Sequence, residues 1–194
     1  MMTNSLLNSK TEDFLLNIRI IRPEIPPGIL QGLFNFIVKS DCKEIGFEKM
    51  SNRSLGISKT DKCVISTKVL VLPIEYLLYI ILHEVSHQYQ YKKYGKDLVL
   101  DVYLDDLDLE SAALKLLSIE KIADRLAIKK LKEILKTNKL ESTQPVKPRY
   151  LEVEETSQIK NHIYKIRSGV RDKNLKTIED INNYILDSIN DESI

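Results

Sequence analysis

His83-Glu84-Val85-Ser86-His87 sets two imidazoles and a carboxylate at a spacing that can do chemistry. On a helix, residues four apart stand one above the other on one face, so His83 and His87 can reach a single ion. Imidazole nitrogens commonly hold zinc at ~2.0–2.1 Å, and a catalytic zinc keeps one position for water. Glu84, next to the first histidine, is then placed to take the proton of that water. The expected roles are His83 and His87 as metal ligands and Glu84 as general base. The chain has 3 histidines, and two of them lie in this motif, which makes a chance arrangement a poor explanation.

Two histidines do not close a zinc site. Metzincins and SprT-like proteases use a third histidine shortly downstream, whereas the next one here is His162. A better source is Ser118-Ile119-Glu120-Lys121-Ile122-Ala123-Asp124-Arg125-Leu126-Ala127, inside a helical stretch from about Leu109 to Leu135. Glu120 and Asp124 share a helix face, and Ala123 and Ala127 beside them would let a second helix come close. Alone, such a segment reads as a solvated charged face. Its place after HExxH gives it another meaning, because the pair of motifs resembles the gluzincin pattern. That resemblance implies that Glu120 is the third zinc ligand and that Asp124 orients a ligand histidine through its free ring N–H. Such a carboxylate fixes the tautomer and raises the basicity of the ligand.

The elements that must hold these residues follow from local signals. Pro73 suits a helix start and Gly95 a helix stop, with Lys92 and Lys93 near the C-terminal end of the dipole. Between them Leu77, Leu78, Ile80, Ile81 and Leu82 make the helix apolar nearly all round, so it is expected to be buried. The run Val69–Leu82 is too short for a membrane span. Upstream, runs at Glu44, Leu55 and Cys63 read as two or three strands, with a tight turn at Thr60–Lys62. A small antiparallel sheet leading into HExxH resembles the core of minigluzincins and SprT-like proteins. The resemblance implies an edge strand that takes the substrate peptide in extended form. Within the Glu-ligand branch, HtpX-like and ImmA/IrrE-like peptidases share the motifs. The expected fold is α+β and mostly helical, with the sheet packed on the HExxH helix and the second ligand helix.

Residues 1–136 are expected to form the zincin-like domain, with N-terminal helices near 11–22 and from Pro27. Residues 137–194 are expected to be a linker around Pro145 and Pro148, then two helices near 152–168 and 175–189, joined at Ser168-Gly169. The acidic loop 96–109 reads as a solvated stretch that caps the next helix, since it lacks the features of an EF-hand. His162 stands beside the apolar stripe Ile159, Ile163 and Ile166, so it is expected at the edge of a packing face. The sharper alternative has the C-terminal helices carrying it over the cleft as an oxyanion donor. Tyr89, Tyr91, Tyr94, Tyr103 and Arg125 are the other candidates for that role.

Composition narrows the function classes. Lys and Arg total 29 against 28 acidic residues, so no electrostatic case for nucleic acid arises. The 2 cysteines, Cys42 and Cys63, form no CxxC motif and read as free thiols in a reducing cytoplasm. No secretory signal or membrane span is visible in the N-terminal residues. The function expected is a zinc metallopeptidase acting on a protein or peptide. The alternatives are a non-enzymatic binding module derived from a zincin and a SprT-like DNA-associated protease.

Overall fold

The computed structural model describes residues 2–50, 54–59, 61–95, 98–104, 107–140, 146–150, 156–175, 180–181 and 183–184, with backbone alone at 2–8 and 100. The order is α1 (Met2–Ile21), α2 (Pro27–Ser40), β1 (Glu44–Glu48), β2 (Gly56–Ser58) and β3 (Lys62–Ser66), followed by a 3-10 turn at Thr67–Val71. Then come α3 (Ile74–Tyr94), α4 (Leu100–Tyr103), α5 (Leu109–Thr137) and α6 (Ser157–Asp172). The fold is α+β and mostly helical, as the sequence pattern indicates. Among the described residues no helix is long and apolar enough to cross a membrane.

The core is built around α3. It runs from Pro73 to Gly95, where a φ of 97° favours glycine. Leu77, Leu78, Ile81 and Leu82 are fully enclosed. On one side α2 contributes Leu30, Leu33 and Ile37, on another α5 contributes Ala127, Leu131 and Ile134, and β3 contributes Cys63 and Ile65. The small side chains at Ala123 and Ala127 are buried and let α5 lie close to α3. Arg22, just past α1, donates from Nη1 to the carbonyls of Leu70 and Leu72, fixing the chain where it enters α3.

The sheet corrects one expectation. It is mixed, not antiparallel: the order is β1-β3-β2, with β1 parallel and β2 antiparallel to β3. The backbone N–H groups of Lys43 and Glu44 both donate to the Asp61 carbonyl, so β1 and β3 start at the same end. The β2–β3 pair closes at the expected turn, where Lys59 and Lys62 exchange backbone hydrogen bonds. Periodicity in sequence tells which face a strand buries, and it is silent on strand direction.

Helix α6 packs on α4 and α5. Ile163, Ile166 and Val170 of α6 join Val102, Tyr103, Ala112 and Ala113 in a second apolar cluster. Arg167 staples this cluster by donating to the carbonyls of Val102 and Leu107. The expected joint at Ser168-Gly169 is absent, since α6 continues to Asp172. Gly169 instead lies against the Tyr184 ring, where a Cβ would collide. The further helix expected at 175–189 lies mostly outside the described residues. In the loop before α5, Asp108 caps that helix by accepting from the Ser111 N–H at 2.9 Å.

Candidate metal centre

Two helices bring the expected ligands together. His83 and His87 sit one turn apart on α3, 3% and 7% exposed, and α5 presents Glu120 to them. His83 Nε2 lies 3.3 Å from His87 Nε2 and 3.1 Å from Glu120 Oε2, and His87 Nε2 lies 3.6 Å from the same oxygen. A tetrahedral ion with bonds of ~2.0–2.1 Å sets its ligand atoms about 3.3 Å apart. The three donors therefore already form one face of such a coordination shell, and the group can hold a metal ion. His162 is not part of it.

Each imidazole is held from behind. Asp124, fully buried on α5, accepts from His83 Nδ1 at 2.8 Å and from the Tyr79 hydroxyl at 2.5 Å through the same oxygen. Its other oxygen accepts from the Tyr150 backbone N–H at 2.7 Å. The Arg149 N–H donates to the Tyr79 hydroxyl at 3.0 Å, and the Tyr150 ring stacks near His83 with centroids 5.9 Å apart. Thus Val146–Tyr150, expected to be linker, is a strap docked on the site. On the other histidine, His87 Nδ1 lies 2.7 Å from Gln90 Oε1.

The electrostatics are those of a cation site. Burial opposes protonation of His83, but the carboxylates of Asp124 and Glu120 outweigh it and hold its pKa up to about 10. Burial likewise opposes charge on Glu120, yet His87 and His83 keep its pKa below the usual carboxylate range. For Glu84 burial dominates, and its pKa is pushed up. Ligand protons must leave when a metal binds, so such a cluster exchanges protons for the ion.

Glu84 is 5% exposed and follows His83 on α3. Strand β2 crosses directly against it. A Cβ built on Gly56 would stand 2.5 Å from Glu84 Cγ and 2.9 Å from Cδ and Oε1. Only a residue without a side chain lets the edge strand come this near the carboxylate. Gly56→Ala should therefore displace Glu84; were Glu84 the base of a metal-dependent hydrolysis, that misplacement near ~1 Å would lower kcat about 100-fold, with metal content unchanged. Gly46→Ala in β1 is the control, since a Cβ there meets nothing within 4 Å. Steady-state kinetics with elemental analysis would check both, and a fully active Gly56→Ala would refute the packing argument.

The other candidates separate by position. Tyr89 donates to the Phe36 carbonyl and packs on that ring, while Tyr94 is 53% exposed and Arg125 is exposed. Tyr91 donates to the Ser58 carbonyl at 3.3 Å. Tyr103 is buried, with its hydroxyl 3.3 Å from His162 Nε2, so His162 is half-buried at the edge of the α6 packing face. Burial and the nearby Glu120 charge raise the pKa of Tyr91, Tyr103 and Tyr150, keeping all three neutral donors near neutral pH. Sequence reasoning passed over Tyr79, Gln90, Gly56 and the strap. Tyr79 and Gln90 carried a signal, since they lie four before His83 and three after His87 on the same helix face.

No protein-family model matches this chain, and neither a curated protein nor a solved structure matches it.

Proposed function

We propose that the chain is a zinc-dependent metallopeptidase of the gluzincin type, with a protein or peptide as substrate. The observation that carries this reading is the convergence of His83 Nε2, His87 Nε2 and Glu120 Oε2, all within 4.8 Å of one another, beside the buried carboxylate of Glu84. His83, His87 and Glu120 would hold the ion. A donor set of two imidazoles and one carboxylate at tetrahedral spacing suits zinc. Zinc, when bound, supplies a Lewis acid that polarises a peptide carbonyl and makes a water acidic near neutral pH. Glu84 accepts the proton of the attacking water on its carboxylate and returns it to the leaving amine. Burial favours that role, because a carboxylate whose pKa is pushed up is the stronger base toward the attacking water.

Strand β2 supports the same reading. Leu55 and Lys59 bond to β3, so the alternation of an antiparallel ladder turns the Gly56 and Ser58 peptides outward. Tyr91 takes the Ser58 carbonyl, and Gln88 anchors the Ser58 hydroxyl at 2.5 Å. An extended substrate added at this edge lies next to Glu84, held by main-chain bonds that accept any sequence. The buried thiols of Cys42 and Cys63 fit a reducing compartment such as the cytoplasm.

The test is the metal. Purified protein is expected to contain one zinc per chain and to cleave an unfolded protein substrate. A chelator should stop the cleavage, and zinc should restore it. Absence of stoichiometric metal would overturn the proposal. Zinc without cleavage of any unfolded substrate would favour a binding module.

A further inference from the structure

We infer that Gln90 is a positioning residue that sets the tautomer of His87 and ties the two ligand helices together, extending the site to H-E-x-x-H-x-x-Q. The inference rests on the metal reading and adds a residue to it. Gln90 is 2% exposed, and both ends of its amide are engaged. Its Nε2 donates to the Ile119 carbonyl at 2.7 Å, and its Oε1 lies 2.7 Å from His87 Nδ1. A carbonyl can only accept, so Ile119 decides which end of the amide faces it. The oxygen is thereby left toward His87, whose Nδ1 must then carry the hydrogen. With that hydrogen on Nδ1, the lone pair of neutral His87 lies on Nε2, the atom that meets His83 and Glu120. One backbone carbonyl on α5 thus fixes the donor atom of a side chain on α3. Ile119 immediately precedes Glu120, so the same bond also sets where the third ligand stands relative to the second.

The two imidazoles are backed differently. His83 rests on the anionic Asp124, while His87 rests on a neutral amide. Glu84, Glu120 and Asp124 already place three carboxylates around a site for one divalent ion. A neutral acceptor orients the second ring without adding a fourth negative charge. Gln90 is therefore suited to the site in a way a carboxylate is not, although either would accept from Nδ1.

The experiment measures zinc affinity by competition with a chromophoric chelator, alongside the spectrum of the cobalt-substituted protein. Gln90→Met keeps the volume and removes both hydrogen bonds. It is expected to bind zinc about 10–100-fold more weakly, the usual effect of losing a group that orients a ligand, and to shift the cobalt bands. Gln90→Glu restores an acceptor for Nδ1 and leaves the Ile119 carbonyl without its donor. It is expected to recover affinity to within a few-fold of wild type while unfolding at lower temperature than wild type. A merely structural role would leave both variants equally impaired in proportion to their melting temperatures. Wild-type affinity and spectrum in Gln90→Met would overturn the inference while leaving the metal centre standing. Equal loss of zinc affinity in the two variants would overturn the tautomer assignment. No zinc in the wild type would overturn the metal reading itself, and this inference with it.

Discussion

Glu84→Gln is expected to keep a full complement of zinc and lose about 100- to 10,000-fold in kcat, the range spanned by removal of a general base. The expectation comes from position. His83 Nε2, His87 Nε2 and Glu120 Oε2 converge on one point, and Glu84 is not among those donors. Its carboxylate lies instead against Gly56 of the edge strand. Glutamine has the same shape and cannot take a proton, so KM should change little while kcat falls. Stability offers an independent check. Glu84 is 5% exposed, and burial pushes its pKa up, so its charge is held at a cost to the fold. Neutralising a strained functional group often leaves a protein as stable or more so. Glu84→Gln is therefore expected to unfold no lower than wild type. Zinc content and melting temperature preserved beside a collapse in turnover would mark a base. Turnover near wild type would place the base elsewhere.

How far the sequence could be read depended on whether a feature is local. The ends of α3 at Pro73 and Gly95, and the pairing of His83 with His87, follow from residues within a few positions of one another. The Asp108 cap of α5 is local as well. Glu120 and Asp124 were found because a second spaced motif stands on a second helix. The parallel pairing of β1 with β3 was not readable, since it depends on how residues far apart close a sheet. The strap at Val146–Tyr150 reads as linker in sequence for a different reason. Its Pro148 is a genuine breaker, but it docks through the backbone N–H groups of Arg149 and Tyr150, and those donors belong to no residue type. Gly56 was silent too, because its value lies in a tertiary approach to Glu84 that no spacing encodes. The residues that converge could be read, while much of what holds them in place came from backbone and close packing.

Glu120→Ala is expected to abolish zinc binding as thoroughly as His83→Ala. Glu120 Oε2 is the third corner of the donor triangle, at 3.1 and 3.6 Å from the two ring nitrogens. Without it the two imidazoles offer an incomplete site, since zinc in such centres is held by three protein ligands. A ligand present at 1,000 times its Kd stabilises the folded state by about 4.1 kcal/mol. For a chain of this size that corresponds to about 8–16 °C in Tm, at about 2–4 °C per kcal/mol. Wild type should show this zinc-dependent rise, and Glu120→Ala should show none. The rise is the quantity to compare, because Glu120 also pairs with His83 in the metal-free protein, and its removal lowers the baseline. Asp124→Ala should fall between them. It keeps all three donors but frees the His83 ring, the Tyr79 hydroxyl and the Tyr150 N–H at once, so zinc affinity should drop about 10–100-fold. The order wild type, Asp124→Ala, Glu120→Ala in zinc-dependent stabilisation separates a ligand from the group that orients one. Equal stabilisation of wild type and Glu120→Ala, or a zinc-bound structure with the Glu120 carboxylate beyond about 4 Å from the ion, would remove it from the site, because zinc–carboxylate bonds are about 2.0–2.2 Å long.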